Sequence, residues 1–292
     1  MKWRVTSKEA GMKLLAFLRE KDRGVHSVKL LKKAIDEKRC SVNKKVERFA
    51  SYTLVEKDLI ELDLSEVTTL SAPQTLSCPI LFEDEHLLVV DKPAGLISED
   101  DRLNALLPQY KGGLLLIHRL DKETSGALML AKSAAVKEAF IALFRKKEVV
   151  KIYLALVDGR FERKEGKIEN YLVKKGSFAG QTIWGTSPKG LKHELAITFW
   201  KREKMGSQAT LLVCQPITGK THQLRVHLSA IGHPILGDFQ YEKKFTCSLK
   251  PRRHLLHAYL LRFTHPFTQK EVEIKAPLPQ DFLDAVKTLK LV

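Results

Sequence analysis

Apolar residues in the first 64 positions follow two different spacings. Those in residues 10–18 share one face of a helix, and those in residues 28–35 repeat that spacing behind Ser27, which suits an N-cap. Residues 40–45 are typical of a short strand and turn, and apolar alternation returns at residues 58–62. The pattern predicts a small module of two helices and short strands, whose second helix and turn carry a basic face.

Beyond residue 79, short apolar runs dominate and long helical patterns are few. Strands are predicted at residues 80–82, 87–91, 151–159, 170–172 and 194–198. Ser133 is a suitable cap for one amphipathic helix. Residues 66–79 contain serines, threonines and two prolines without any period, which is typical of a linker. The pattern therefore predicts domains at 1–65 and 80–292, with a basic loop at 174–192 in the second.

The chain carries a strong positive charge. Its 292 residues include 50 Lys and Arg against 34 Asp and Glu, a formal net charge of +16 at pH 7. Such an excess favours a polyanionic partner, with nucleic acid ahead of a membrane surface. The four cysteines are far apart, which argues against a zinc finger or a disulfide framework and fits a reducing cytoplasm. No run reaches the length of a membrane span, so we expect a cytoplasmic protein with no membrane partner.

A polar segment between two apolar runs, residues 118–126, holds the candidate chemistry. It consists of His-Arg-Leu-Asp-Lys-Glu-Thr-Ser-Gly, between apolar runs at 114–117 and 127–131. Two buried strands, or a strand and a loop, would present this segment at a sheet edge, with the Asp121 carboxylate beside the Arg119 guanidinium. A carboxylate placed there either caps a turn through backbone N–H groups or takes part in chemistry. The residues alone leave both roles open.

Residues 118–126 are similar to the signature His-Arg-Leu-Asp-x-x-Thr-Ser-Gly of the RluA family of RNA pseudouridine synthases, and every fixed position is filled. Three further blocks resemble the family in the expected order. They are Lys-Pro-Ala-Gly at 92–95, Lys-Ile-Tyr-Leu-Ala at 151–155 and Thr-Gly-Lys-Thr-His-Gln-Leu-Arg-Val-His at 218–227. The resemblance implies an α+β fold with a large mixed, mostly antiparallel sheet, preceded by a small α/β domain.

The resemblance also implies roles for individual residues. Asp121 would act as nucleophile or base near C1′ of the target nucleotide, with Arg225 as its buried cationic partner. Tyr153 would stack on the flipped uracil. The candidate substrate-binding residues are His118, Arg119 and Leu224. Because an isomerisation of uridine to pseudouridine oxidises nothing and loses no group, neither a cofactor nor a metal is expected.

Without the resemblance, two of these residues have plainer interpretations. Tyr153 would pack in the core, as most strand tyrosines do. Arg225, flanked by Leu224 and Val226, would lie half-buried on a strand. A second basic segment precedes the last apolar run and is expected to face phosphate groups. Its residues are Lys243, Lys244, Lys250, Arg252 and Arg253.

The first module resembles the S4 RNA-binding module in Phe17-Leu18, in the segment from Ser27 to Ile35 and in Val42-Asn43. Lys13 stands where that family often has Arg, and Lys44 where it commonly has Gly. The resemblance implies that the basic face docks structured RNA through backbone and shape, the alternative being a merely solvated helix. The candidate RNA-binding residues are Lys29, Lys32, Lys33, Lys44 and Lys45.

The resemblance favours large-subunit (23S) ribosomal RNA as substrate, because relatives that carry an S4 module mostly act there. Transfer RNA is the alternative within the same activity. A different class, a non-catalytic RNA-binding or ribosome-assembly protein, would keep the module on an inactive scaffold. A DNA-binding regulator is disfavoured because the chain lacks a recognition-helix signature. We expect a monomer.

Overall fold

The chain divides into two units in this computed structural model, Met1–Thr75 with Lys174–Ile183, and Leu76–Val173 with Trp184–Val292. The structure describes residues 1–23, 25–36, 39–47, 49–64, 77–110, 113–178, 181–191, 194–242 and 244–291. Most of the predicted linker, 66–79, lies outside these residues. The predicted boundaries, 1–65 and 80–292, stay a prediction.

The helices within the described residues are α1 (Leu14–Lys21), α2 (Val28–Asp36), α3 (Asp100–Leu106), α4 (Ala134–Lys146), α5 (Gln223–Ala230) and α6 (Gln280–Thr288). The strands are β1 (Lys2–Arg4), β2 (Cys40–Val42), β3 (Lys45–Val46), β4 (Leu59–Leu62), β5 (Ile80–Glu83), β6 (Leu87–Lys92), β7 (Leu115–Leu116), β8 (Ser125–Ala131), β9 (Val150–Asp158), β10 (Glu165–Phe178), β11 (Gln181–Ser187), β12 (Leu195–Met205), β13 (Ala209–Pro216), β14 (Leu256–Thr264) and β15 (Glu271–Lys275).

The first unit has a four-stranded sheet in the order β1-β4-β2-β3, together with α1 and α2. The two predicted helices are confirmed, and Ser27 caps α2 by accepting a hydrogen bond from Leu30 N at 3.2 Å. Phe17 and Leu31 are fully buried in one apolar cluster with Ile60 of β4. Propensity, capping and burial therefore agree in this module.

The second sheet of the chain has eleven strands, most of them in the second unit. Its main path is β11-β10-β12-β13-β9-β14-β8-β6-β5, with β15 beside β14 and β7 beside β8. Strands β8 and β14 run parallel, and the neighbouring pairs β9–β14 and β6–β8 are antiparallel. The predicted α+β fold with a mixed, mostly antiparallel sheet is confirmed. Strand β9 lies in the middle, as its apolar residues predict.

Strand β8 is buried along its whole length because layers cover both of its faces. Met129 packs in the same cluster as Phe140 of α4, and Leu128 in the same cluster as Leu103 of α3. Ser133 caps α4 as predicted, accepting from Val136 N. The turn before β8 is thus carried on a rigid central strand.

Two secondary-structure predictions are wrong. Within the predicted loop at 174–192, β10 continues to Phe178 and β11 occupies Gln181–Ser187, so most of its described residues form strands. The side chains of residues 174–177 are exposed, so no apolar alternation marked the strand. Arg225 lies on helix α5 and not on a strand. Six consecutive residues of α5, Gln223 to Leu228, are buried, which conceals the helical period in the sequence.

Candidate active site

Asp121 lies in the turn between β7 and β8, where the two predicted apolar runs meet the polar segment. Thr124 N donates a hydrogen bond to Asp121 O at 3.0 Å, so the backbone closes this turn. The Asp121 carboxylate instead accepts a hydrogen bond from Arg225 Nη1 at 3.1 Å. The Asp121 side chain is 25% exposed to solvent. The Asp121 side chain therefore does not cap the turn but forms a partly accessible ion pair with Arg225.

Arg225 is the centre of the site. Its Nε and Nη2 donate to the two carboxylate oxygens of Asp238 at 2.6 and 2.8 Å, and Nη2 also donates to Gln240 Oε1 at 2.7 Å. The Tyr241 ring lies with its centroid 5.0 Å from Arg225 Cζ, a cation–π distance. Asp238 holds the guanidinium in a bidentate pair, which leaves Nη1 directed at Asp121.

The ion pairs keep Arg225 charged although its side chain is only 6% exposed. Burial alone would lower the pKa of Arg225, but the charges of Asp238 and Asp121 and the hydrogen bond to Asp238 outweigh it and raise the pKa above the ordinary arginine value. A permanent cation is thereby fixed beside Asp121.

Tyr153 and Leu224 form the apolar surroundings. Tyr153, on β9, packs against the cluster that contains Leu120 and also against the one that contains Leu224. Burial and the nearby Asp121 carboxylate raise the pKa of the Tyr153 phenol above its usual value, so the phenol stays protonated. Leu224 is 5% exposed within α5. The structure thus brings Asp121, Tyr153, Arg225 and Leu224 together.

His222 and Tyr241 belong to the site but were not predicted. His222 Nδ1 and the Tyr241 hydroxyl share a hydrogen bond of 2.6 Å, and His222 Nε2 lies 3.8 Å from Asp121 Oδ2. His222 also has a left-handed backbone, with φ +57°, at the start of α5. Non-glycine residues held in this conformation cluster at functional sites. Burial and the Arg225 charge lower the pKa of His222, which favours a neutral ring.

His118 and Arg119 differ in their placement. His118 Nε2 accepts from Met129 N at 3.1 Å, and the ring lies 5.1 Å from that of Phe144. Burial, with the nearby charge of Lys151, lowers the pKa of His118 to about 3. The neutral ring therefore fastens the segment before Asp121 to β8. Arg119 is exposed, and substrate binding by either residue stays a prediction.

Buried side chains from distant segments hold the loop that carries Asp121. Lys92 Nζ donates to the carbonyl of Lys122 at 3.1 Å and to those of Pro93 and Leu96 at 2.9 Å. Burial lowers the pKa of Lys92 to about 8. All three N–H donors of the Lys92 ammonium group are thus hydrogen-bonded to backbone carbonyls.

Three further side chains hold the loop that carries Asp121: Arg253 and His254 lie just before β14, and His257 lies at its start. Arg253 Nη1 donates to the carbonyl of Glu123 at 3.0 Å, and its Nε and Nη2 donate to Asp281 of α6. His254 Nε2 lies 2.9 Å from Thr124 Oγ1 and His257 Nδ1 lies 2.9 Å from Ser125 Oγ. The expectation that Arg253 faces phosphate is wrong, because it is 6% exposed and its N–H groups are used internally. Lys243 of the same segment lies outside the described residues.

The predicted RNA-binding lysines belong to the first unit. Lys32, Lys44 and Lys45 are exposed, whereas the side chains of Lys29 and Lys33 lie outside the described residues. Lys44 adopts φ +66° in the turn between β2 and β3. That left-handed backbone explains why glycine suits this position.

Asp238 and Gln240 were also not predicted as site residues, and Arg253 was predicted only in a different role. A Gly-Asp pair after the apolar residues at 235–236 was the available signal for Asp238, since an aspartate at such a turn is often buried. Among the described residues, no group of three His, Cys, Asp or Glu side chains could hold a metal ion, and no helix could cross a membrane. The arrangement offers an accessible carboxylate beside a fixed cation and an aromatic wall, which suits nucleophilic or base chemistry on a flat ring.

Comparison with known proteins agrees with this geometry. Residues 86–230 match the family described as RNA pseudouridylate synthase. The chain is 32% identical to the ribosomal large subunit pseudouridine synthase C of Escherichia coli K12, over 98% of this chain and 95% of that protein. It is 34% identical to the protein of the same name from Haemophilus ducreyi, over 94% and 91%. The solved structure of human RNA pseudouridylate synthase domain containing 4 is similar, with TM-score 0.61 and 29% identity over 73% of this chain and 93% of that one.

Proposed function

Because the chain belongs to the family of RNA pseudouridylate synthases, we propose that Asp121 is its catalytic carboxylate. Membership makes the protein an isomerase that converts uridine to pseudouridine in RNA. The reaction breaks the bond from C1′ to N1 of the uracil, turns the base and joins C1′ to C5. The observation that carries the assignment is the 3.1 Å contact between Asp121 Oδ2 and the permanently charged Arg225.

Asp121, Arg225 and Tyr153 have separate roles at the reacting nucleotide. The Asp121 carboxylate serves as nucleophile or base near C1′, and Arg225 places a fixed positive charge 3.1 Å from it. The Tyr153 ring stacks on the uracil, and its protonated phenol can donate a hydrogen bond to the base. Since C1′ is inaccessible inside a helix, the target nucleotide must flip out of the stack, with His118, Arg119 and Leu224 as its further contacts.

Large-subunit ribosomal RNA is the substrate that we propose for this chain. The relatives from Escherichia coli and Haemophilus ducreyi are named for the ribosomal large subunit, and this chain covers more than nine-tenths of each. The net charge of +16 suits an RNA partner. The enzyme would meet this RNA in the cytoplasm, and we propose that it acts as a monomer. Transfer RNA is the alternative substrate.

Residues 1–65 are the S4-like RNA-binding domain in this proposal. Lys32, Lys44 and Lys45 are exposed. Phosphate contacts of this kind add affinity without reading sequence. Replacing the three lysines by glutamate should weaken RNA binding at least tenfold and flatten its dependence on salt, while kcat changes little. An unchanged salt slope would remove the domain's proposed role.

The catalytic assignment is tested with Asp121→Asn, which keeps the shape of the side chain and removes its charge. We expect turnover to fall by at least 10⁴-fold, because no other group can replace the reacting oxygen, while RNA binding stays within about threefold. Glu123→Gln, two residues away on the same loop and 40% exposed, is the matched control and should keep nearly full activity. Substantial residual turnover in Asp121→Asn would overturn the assignment.

The substrate is tested by mapping pseudouridine in ribosomal and transfer RNA from cells with and without the gene. Loss of a defined pseudouridine in large-subunit RNA supports the proposal. Loss confined to transfer RNA would keep the chemistry and replace the substrate.

A further inference from the structure

Lys151 is a half-buried cation beside the site, and within the described residues no carboxylate forms an ion pair with it. It lies on β9 two residues before Tyr153, so the two side chains share a side of the sheet. Its Nζ donates to the carbonyl of Thr218 at 3.4 Å, which is longer than the usual 2.7–3.2 Å of an N–H···O hydrogen bond. No carboxylate within the described parts of the chain pairs with it, and burial alone lowers its pKa, to about 8.

The comparison with Lys92 shows what is unusual about this lysine. Burial lowers the pKa of both ammonium groups to about 8. Lys92 is fully buried and satisfies its three N–H donors with three carbonyls, whereas the half-buried Lys151 makes one long bond, and its other two donors reach no acceptor in the described part of the chain. Desolvating a charge without a partner costs free energy. Contacts within the described part of the chain therefore account for all three donors of Lys92 but for only one donor of Lys151.

The groups around Lys151 Nζ are neutral. The Phe144 ring centroid is 5.9 Å away, and the nearby His118 ring stays uncharged. A Cβ added at Gly219 would lie 3.7 Å from Nζ, so the glycine leaves space beside the ammonium. His118 belongs to the segment that carries Asp121, and Gly219 to the segment that leads into α5 and Arg225. The unbalanced charge thus lies where the two segments of the site approach each other.

We propose that Lys151 binds a backbone phosphate of the RNA next to the target nucleotide. This inference rests on the proposed function, because RNA supplies the anion. Phosphate oxygens would accept hydrogen bonds from the other two N–H donors of Lys151, and the phosphate charge would balance that of the ammonium group. The contact would set the depth of the nucleotide between Asp121 and Tyr153 and would be independent of base sequence.

Lys151→Gln tests the proposal, because glutamine keeps a donor for the Thr218 carbonyl and loses the charge. Lys151→Arg restores the charge. Lys132→Gln is the matched control, since Lys132 Nζ already pairs with Glu83 at 2.7 Å and with the Asp84 carbonyl at 2.6 Å. The probe is a large-subunit ribosomal RNA transcript with tritium at C5 of uridine, from which turnover releases tritium. Binding is measured separately in the Asp121→Asn background.

We expect Lys151→Gln to raise KM and Kd at least fivefold with kcat within threefold, and to lower the slope of log Kd against log salt by about 0.7 to 0.9, the value for one phosphate contact. Lys151→Arg should recover most of the affinity, and the control should match the wild type. A salt slope equal to that of the control would overturn the proposal, and so would a loss of thermal stability without a change in Kd. Absence of tritium release from the wild type would count against the proposed function alone, because the binding measurement does not need turnover.

Discussion

Asp238→Asn should destabilise the second unit strongly, because it removes half of a buried ion pair. Asp238 and Arg225 have side-chain exposures of 1% and 6%, and two hydrogen bonds of 2.6 and 2.8 Å join them. Asparagine offers one acceptor where the aspartate has two, so its NH₂ group would face an N–H of the guanidinium. Removing one partner of a buried pair typically costs about 3 to 5 kcal/mol, and we expect the free energy of unfolding to fall by this amount.

A matched pair elsewhere in the same unit isolates the effect of burial. Asp281 binds Arg253 in the same bidentate geometry, at 2.7 and 2.9 Å, but the Asp281 side chain is 53% exposed. Because solvent screens that pair, Asp281→Asn should cost about 1 kcal/mol or less. The two variants remove the same charge from the same kind of arginine pair, and they differ in the solvent exposure of the carboxylate.

The assay is urea unfolding followed by tryptophan fluorescence in a Trp3→Phe background. The chain has three tryptophans, and the two that remain, Trp184 and Trp200, both belong to the second unit. Equal losses in Asp238→Asn and Asp281→Asn would refute the argument that burial sets the magnitude. Asp238→Asn should also lower kcat about 10- to 100-fold, since Arg225 Nη1 would no longer be held against Asp121.

Two further predictions concern the strand ends near the Asp121 loop. Gly126→Ala should lower the free energy of unfolding by about 3 kcal/mol or more, because a Cβ there would lie 2.3 Å from a backbone oxygen of β14 and φ is +113°. Gly95→Ala, with φ +89° and open space, should cost only about 1 kcal/mol, and the prediction fails if the two variants lose equally. Between pH 8 and 10.5, the unfolded chain holds a proton on Lys92 that the folded chain has lost. The free energy of unfolding of the wild type should therefore rise with pH over this window, by about 3 kcal/mol relative to that of Lys92→Met. Parallel stability curves of these two proteins in urea across that window would contradict the lowered pKa.

Local patterns explain which parts of the fold were predictable. The capped helix after Ser133 and the apolar strand β8 carry their signal within a dozen residues. Strand β10 beyond Val173 has exposed side chains, and helix α5 is buried on nearly all sides, so neither shows a period. The spacing of apolar residues reveals a helix or strand only where one of its faces is buried and the other is exposed.

The site was predictable only where a motif marked it. Asp121, Tyr153 and Arg225 were placed by resemblance, and the structure brings them together. Asp238 and Arg253 could not be assigned partners from the sequence, since their roles depend on contacts with residues 13 and 130 positions away. Such pairings are created by the sheet topology, which no short window contains.

The anchoring of the Asp121 loop has a consequence for how this site can be inherited or transplanted. The family match ends at residue 230, yet Arg253, His254 and His257, which hold residues 123 to 125 of the loop, all lie beyond it. A chimera that joins residues 86–230 of this chain to the carboxyl-terminal part of a relative would keep Asp121, Tyr153 and Arg225. It would work only if the donor also supplied a matching arginine and two matching histidines, so these segments have to be exchanged as one piece.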